Sequence, residues 1–286
     1  MAKKDTTDDV GTTGHEWDGI EELNKPLPKW WLYTFYACII WAVGYWIVYP
    51  TWPLVSSYTK GYFGYSQREK VAEDLAQAQT AKADFRDRIA ESDLATIQAD
   101  PELLNFALAG GAAAFGDNCA PCHGRGAQGF PGYPNLRDDA WLWGGSLDDI
   151  HQTIQHGIRA DDSGTRNSQM PAFGKLGMLK PDQVSDTAEY VLSLSGNAGD
   201  QAAADRGAKI FAANCAACHG PDGKGNQALG APNLSDELWL YGGDKSTVVE
   251  TITNSRSGMM PAWSERLDPA TVKELAIYVH SLGGGE

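Results

Sequence analysis

Cys119, Cys122 and His123 fall within the run CAPCH, and Cys215, Cys218 and His219 fall within CAACH. Cys-x-x-Cys-His is the spacing at which two thiols can bond the two vinyl groups of one haem, with the adjacent histidine lying under the iron. Two other chemistries use paired cysteines. A zinc ribbon places its second pair about 15–20 residues from the first, whereas these pairs are 96 positions apart. Thiol–disulfide exchange needs a strand-to-helix setting, and the flanking sequence shows none. The histidine that follows both pairs therefore points to two covalently attached c-type haems, one on each motif.

A six-coordinate iron needs a second axial ligand. Met170 and Met260 occupy matching places, each followed by Pro-Ala and an aromatic residue, in a chain with five methionines. Thioether sulfur opposite imidazole is the ligation of electron-transfer cytochromes and raises the reduction potential. Met259 adjoins Met260, but the repeat aligns Met260 with Met170, and Met178 has no counterpart. His151 and His156 are rivals to Met170 near the first motif; lacking repeat partners, they read better as surface or propionate-contact residues. His280 reads as an exposed residue of the last helix. Pro134 and Pro232 follow the motifs at a distance suited to a loop passing the proximal histidine, where a carbonyl could accept its N–H. Trp141, Trp239, Arg159 and Arg256 could line a haem edge or meet propionates, although core packing explains the tryptophans nearly as well. Cys38 reads as a small buried apolar residue.

The elements that position these residues are repeated. Gly111, Phe115 and Cys119 recur as Gly207, Phe211 and Cys215; PNL at Pro134 recurs at Pro232, and WLWGG at Trp141 recurs as WLYGG at Trp239. The second copy gains two residues early and loses eight before its methionine. The period is too long for a solenoid of 20–50-residue repeats, so the pattern is a tandem domain duplication, divided as 103–197 and 198–286. The small, polar run SGNAGDQAAADRG serves as the linker. A helix rich in alanine and glycine leads into each pair of cysteines, and a last helix closes each copy, with Val184, Ala188, Val191 and Leu194 in one and Val272, Leu275, Tyr278, Val279 and Leu282 in the other. No long alternating strand pattern is visible, so the expected fold is all-α. Each unit is small for an independent core, and a bulky apolar cofactor at its centre would supply the missing mass.

Residues 30–49 contain no charge and at 1.5 Å per residue span about 30 Å, the thickness of a bilayer core. Trp30, Trp31 and Tyr33 at one end and Tyr49 and Trp52 at the other match the aromatic belts of lipid interfaces. The run is longer than a signal-peptide core, follows an acidic stretch and precedes no small-residue cleavage site. A single membrane anchor over 30–52 follows, between an extramembrane tail (1–29, with Asp5, Asp8, Asp9, Glu21 and Glu22) and a helical linker (53–102). Lysines and arginines on the two sides do not settle its orientation. In the linker, Val71, Leu75, Ala78, Ala81, Phe85 and Ile89 form one helical face. Packing on the protein's own soluble domain and packing on a partner helix are equally compatible with it. The formal net charge of −14 excludes a phosphate-binding footprint and with it nucleic acid.

Two haem motifs, each with its Met-Pro, resemble tandem class I cytochrome c domains. The stretch TTGHEWDGIEELNKPLPKWWLYTFY, running into GYWIVYPTWP, resembles the anchor of the CcoP (FixP) subunits of cbb3-type cytochrome c oxidases. The resemblance implies covalent attachment at Cys119, Cys122, Cys215 and Cys218. It implies axial pairs of His123 with Met170 and His219 with Met260. It further implies an electron-transfer subunit, not an enzyme on its own, that passes electrons from a soluble cytochrome c to a mono-haem subunit and then to the haem–copper subunit where oxygen is reduced. The anchor would lie in the bacterial inner membrane, with the N-terminus cytoplasmic and both haem domains periplasmic. The insertion RADDSGTRNS before Met170 is the main asymmetry between the copies. A free-standing membrane dihaem shuttle and a dihaem peroxidase are the alternatives; the peroxidase needs a haem with an open iron site, while both copies offer methionine.

Overall fold

The computed structural model describes residues 11–284, so Asp5, Asp8 and Asp9 of the acidic tail lie outside the described residues. The chain divides into two compact units between Thr80 and Ala81. In the first, β1 (Thr12–Trp17) pairs antiparallel with β2 (Ile20–Leu23). Asp18 and Gly19 between them both have positive φ, 52° and 83°, the Asp-Gly turn whose twist matches a hairpin. The sequence reading expected no strand here; the hairpin is too short to show alternation, and its turn was the available signal.

Helix α1 (Lys29–Val48) is apolar on every face and buries no residue. Its last carbonyls are closed by a chain reversal at Gly61, from which Tyr62 N–H donates to Ile47 O (3.1 Å) and Phe63 N–H to Val48 O (3.2 Å). The helix ends at Val48, with Pro50 and Pro53 following. Helix α2 (Gln67–Glu91) runs across the division between the units. Val71 and Leu75 are exposed, whereas Phe85 and Ile89 join a core in the second unit with Leu94, Ile97 and Leu103. The end of the stripe therefore packs on the protein's own helices.

The second unit continues with α3 (Leu94–Ala99), α4 (Pro101–Asn118), α5 (Ala120–His123), α6 (Leu147–His156), α7 (Pro181–Ser193), α8 (Gln201–Asn214), α9 (Ala216–His219), α10 (Lys245–Asn254) and α11 (Pro269–His280). Caps fix the helix starts. Asp100 accepts from Glu102 N–H at 2.9 Å, Asp200 from Ala203 N–H at 3.1 Å and Asp268 from Thr271 N–H at 3.1 Å, a substitution-sensitive contribution of about 1 kcal/mol each. Much of the expected linker is helical, since QAAADRG opens α8. Only the short segment between Ser193 and Gln201 turns the chain.

That short connection decides the packing. Helix α8 folds back on α7, and α4 packs against α11. These contacts run between the two sequence copies, 103–197 and 198–286. One lobe joins α4, α5 and α6 of the first copy to α11 of the second, around Phe115, Ile150, Ile154, Leu275 and Val279. The other joins α7 of the first copy to α8, α9 and α10 of the second, around Val184, Ala188, Phe211, Val248 and Ile252. Both crossings use the same device. A Cβ on Gly111 would overlap the carbonyl of Glu274 and the Cβ of Tyr278, and one on Gly207 would overlap the carbonyl of Asp186 and the Cβ of Tyr190. With no side chain in the way, the helices touch, and the rings of Phe115 and Tyr278 (5.5 Å) and of Phe211 and Tyr190 (5.0 Å) meet beside them.

Candidate functional site

Each motif sits on a single helical turn, α5 or α9, that directly follows the long helix α4 or α8. Cys119 and Cys215 are the C-caps of those long helices, their N–H groups donating to Phe115 O at 2.9 Å and Phe211 O at 2.8 Å. Cys119 and Cys215 are half-buried, and Cys122 and Cys218 are exposed. Burial first, and then the neighbouring thiol, pushes Cys119 and Cys215 up to about 11. Among the described residues no group of three His, Cys, Asp or Glu side chains is arranged to hold a metal ion by itself.

The proximal histidines are held as their loops require. His123 Nδ1 lies 3.0 Å from Pro134 O, and His219 Nδ1 lies 3.1 Å from Pro232 O. A carbonyl only accepts, so each Nδ1 carries the proton and each Nε2 keeps a free lone pair for a metal. Burial is the main cause that lowers both imidazole pKa values, with the proline carbonyl opposing it. The supporting loops are tied in parallel ways: Gly129 N–H donates to His123 O and Gly225 N–H to His219 O, both at 2.8 Å. Gly129 has φ 68° and Gly225 φ 84°, and a Cβ at either would strike the backbone around Pro134 or Pro232. The two residues gained by the second copy lie in this loop. Phe130 and Tyr133 exchange backbone bonds around Pro131-Gly132, and Asn226 and Ala231 do so around the longer turn Gln227–Gly230.

The methionines lie where sequence order does not place them. Met260 and Trp263 pack on the Phe115 lobe, and Met170 packs on the Phe211 lobe. The backbone confirms the exchange. Met260 N–H donates to Ile158 O at 3.0 Å and Ile158 N–H to Met260 O at 2.9 Å, while Ser255 Oγ donates to Met170 O at 2.6 Å. Trp263 N–H donates to Ile154 O in one lobe, as Phe173 N–H does to Ile252 O in the other. The implied pairs of His123 with Met170 and His219 with Met260 are thus not what the packing brings together. Each methionine follows its own C-terminal helix, and each C-terminal helix packs in the lobe of the other copy's motif.

A cavity of about 1500 Å³ is lined by both sets, including Cys119, His123, Met170, Cys215, His219 and Met260. It exceeds the roughly 300–1,000 Å³ of a single small-molecule site. The residues fit two haems: thiol pairs beside oriented imidazoles, thioethers on facing loops, and Trp141 Nε1 buried without a partner in the protein. Arg159 lines the same cavity at φ 53°, donating through Nε to Gly258 O (2.6 Å) and through Nη1 to Ser168 O (2.9 Å). Arg256 lies over the Tyr241 ring at 4.6 Å. His156 is turned to Asp162 of the insertion at 2.9 Å, and neither it nor His151 lines the cavity. His280 is half-buried, not exposed as expected, and Cys38 is exposed on α1. Sequence reasoning passed over Trp143 and Tyr241, although both are the third residue of the repeated WLWGG and WLYGG runs.

Three family models match the chain. The N-terminal domain of cytochrome oxidase-cbb3, FixP, covers residues 9–56; cytochrome c covers 108–195; and cytochrome C oxidase, cbb3-type, subunit III covers 202–279. The chain is 57% identical to the cbb3-type cytochrome c oxidase subunit FixP of Bradyrhizobium sp. (strain ORS 278), over 99% of this chain and 98% of the relative. It is 58% identical to FixP of Azorhizobium caulinodans, over 96% and 94%, and 54% identical to the subunit CcoP of Azospirillum brasilense, over 99% of each chain.

Proposed function

Since the chain belongs to the FixP/CcoP family of cbb3-type cytochrome c oxidase subunits and is a membrane-anchored electron-transfer subunit with two c-type haems, we propose a specific assignment of its residues and its place in the complex. Cys119 and Cys122 would hold one haem, with His123 and Met260 supplying its iron ligands. Cys215 and Cys218 would hold the other, with His219 and Met170. Bound there, c-type haem supplies one-electron chemistry, and histidine–methionine ligation sets a high potential. Pro134 and Pro232 keep each imidazole in the tautomer that leaves Nε2 for iron. Phe115 and Phe211, each about 1% exposed, close the crevices against water.

The observation that carries this assignment is the exchange of methionine loops between lobes, seen in the reciprocal Ile158–Met260 bonds and the Ser255–Met170 bond. Within the complex, the chain takes electrons from a soluble cytochrome c and passes them through a mono-haem subunit to the haem–copper subunit, where oxygen is reduced. The N-terminus lies in the cytoplasm and both lobes in the periplasm, which is where covalent haem attachment would require them. A chain carrying Cys119→Ala and Cys122→Ala retains one haem and tests the pairing. In that background Met170→Ala should abolish the sulfur-to-iron absorption and Met260→Ala should leave it. The reverse result would restore pairing within each sequence copy.

A further inference from the structure

The loops that hold the two proximal histidines are each covered by an aromatic side chain from the opposite lobe. Trp143 follows the first motif, is 7% exposed, and lies so close to Gly230 that a Cβ there would overlap the indole. Gly230 ends the turn that leads into Pro232, the acceptor for His219 Nδ1–H. Tyr241 follows the second motif, and its ring would stand 3.3 Å from a Cβ on Gly132. Gly132 N–H donates to Leu240 O at 2.8 Å, and two residues later Pro134 accepts from His123 Nδ1–H. The two contacts are equivalent under the repeat, which maps Gly132 on Gly230 and Trp143 on Tyr241. An arginine backs each ring: Arg166 lies over Trp143 at 5.6 Å and Arg256 over Tyr241 at 4.6 Å. Arg166 comes from the insertion before Met170, so that insertion supplies to the first lobe what Arg256 supplies to the second.

We infer that Trp143 and Tyr241 are reciprocal positioning residues, each setting the proximal histidine hydrogen bond, and so the reduction potential, of the haem in the lobe across from its own. The inference rests on the haem assignment above. A histidine whose Nδ1–H is firmly bound to a carbonyl is a stronger donor to iron and favours the more positive, oxidised metal. A loop released from its ring holds that bond less well, so the midpoint should rise. Loosening one loop leaves the other loop's ties, such as Gly129 N–H to His123 O, in place.

The test uses full-length chains reduced to one haem by the paired changes Cys119→Ala and Cys122→Ala, or Cys215→Ala and Cys218→Ala. Trp143→Ala should raise the midpoint of the haem on Cys215–Cys218 and shift the haem on Cys119–Cys122 less. Tyr241→Ala should do the opposite, and Trp143→Phe should restore most of the Trp143→Ala change. In the two-haem chain, hydrogen exchange of the 223–234 loop should quicken on Trp143→Ala, and that of the 127–136 loop on Tyr241→Ala. Equal shifts in both haems, a larger shift in the mutated residue's own lobe, or exchange that does not follow the opposite loop would overturn the inference. Failure to find covalent haem on the unmodified chain would instead overturn the haem assignment, and the exchange measurement would still decide the loop contacts.

Discussion

Glu274 should make stability of the first lobe depend on pH near neutrality. It lies on α11 against Gly110 of α4, with its side chain 3% exposed and Oε1 buried without a hydrogen-bond partner. The repeat explains the defect. Its counterpart Asp186 receives two bonds from Arg206, both at 2.7 Å, and the residue matching Arg206 in the first copy is Gly110. Arg86 of α2 stands in at 3.8 Å from Oε1, while also binding Asp268 at 2.5 Å. Burial raises Glu274 from 4.5 to about 7, with Asp268 adding to the rise and Arg86 and Lys82 opposing it. Because the folded value is the higher one, the protonated form favours folding. The contribution is complete below pH 4.5, is lost as pH rises through about 7, and is level above that.

A fully shielded carboxyl held that far would contribute roughly 3 kcal/mol. Arg86 is a third exposed, and screening by it and by adjacent water reduces the expectation to about 1.5 kcal/mol. Glu274→Gln removes the titration. The difference in Tm between this variant and the unmodified holoprotein should therefore grow from pH 5 to pH 8 by about 3–6 °C, at roughly 2–4 °C per kcal/mol. Circular dichroism melts of the detergent-solubilised full chain at matched ionic strength would read it. Arg86→Leu should enlarge the dependence by removing the nearest cation. A Tm difference that is the same at both pH values would refute the account of Glu274.

Replacing Cys119 and Cys122 together should reduce the covalent haem retained after denaturation from two to one, read by pyridine haemochrome; an unchanged count would remove the motif from haem attachment. Gly207→Ala should destabilise the second lobe by about 1–3 kcal/mol, as overpacking at a close helix crossing does, measured by denaturant unfolding; a neutral result would show that α7 and α8 can separate at little cost. Residues 1–49 hold four basic and seven acidic side chains, so the rest of the chain carries −11 of the net −14. Oxidation of a basic cytochrome c by the assembled oxidase should therefore slow as ionic strength rises, because steering is screened beyond about 8 Å at physiological salt. Charge reversal at Asp222 or Asp236 should flatten that dependence more than reversal at Glu21 or Glu22; a rate indifferent to salt would exclude electrostatic steering.

Features that depend on covalent spacing or on neighbours within a few turns were legible in the sequence. The thiol–imidazole motifs, the duplication, the apolar span and the helices leading into each motif are of this kind, because a five-residue motif or an i, i+4 stripe carries its whole signal locally. The Asp18-Gly19 hairpin was local too, but its strands are too short to announce themselves. What the tertiary structure decided is which half of each repeat completes which lobe. The two copies present equivalent partners, Tyr190 or Tyr278 against Gly111 or Gly207 and Met170 or Met260 beside either histidine, so local pattern cannot choose between them. The choice falls to the short turn between Ser193 and Gln201, which folds α8 onto α7 and leaves α4 to be closed by α11. From that exchange follow the crossed methionines, the loop contacts of Trp143 and Tyr241 across the lobes, and the buried Glu274 that faces a glycine where its counterpart meets an arginine.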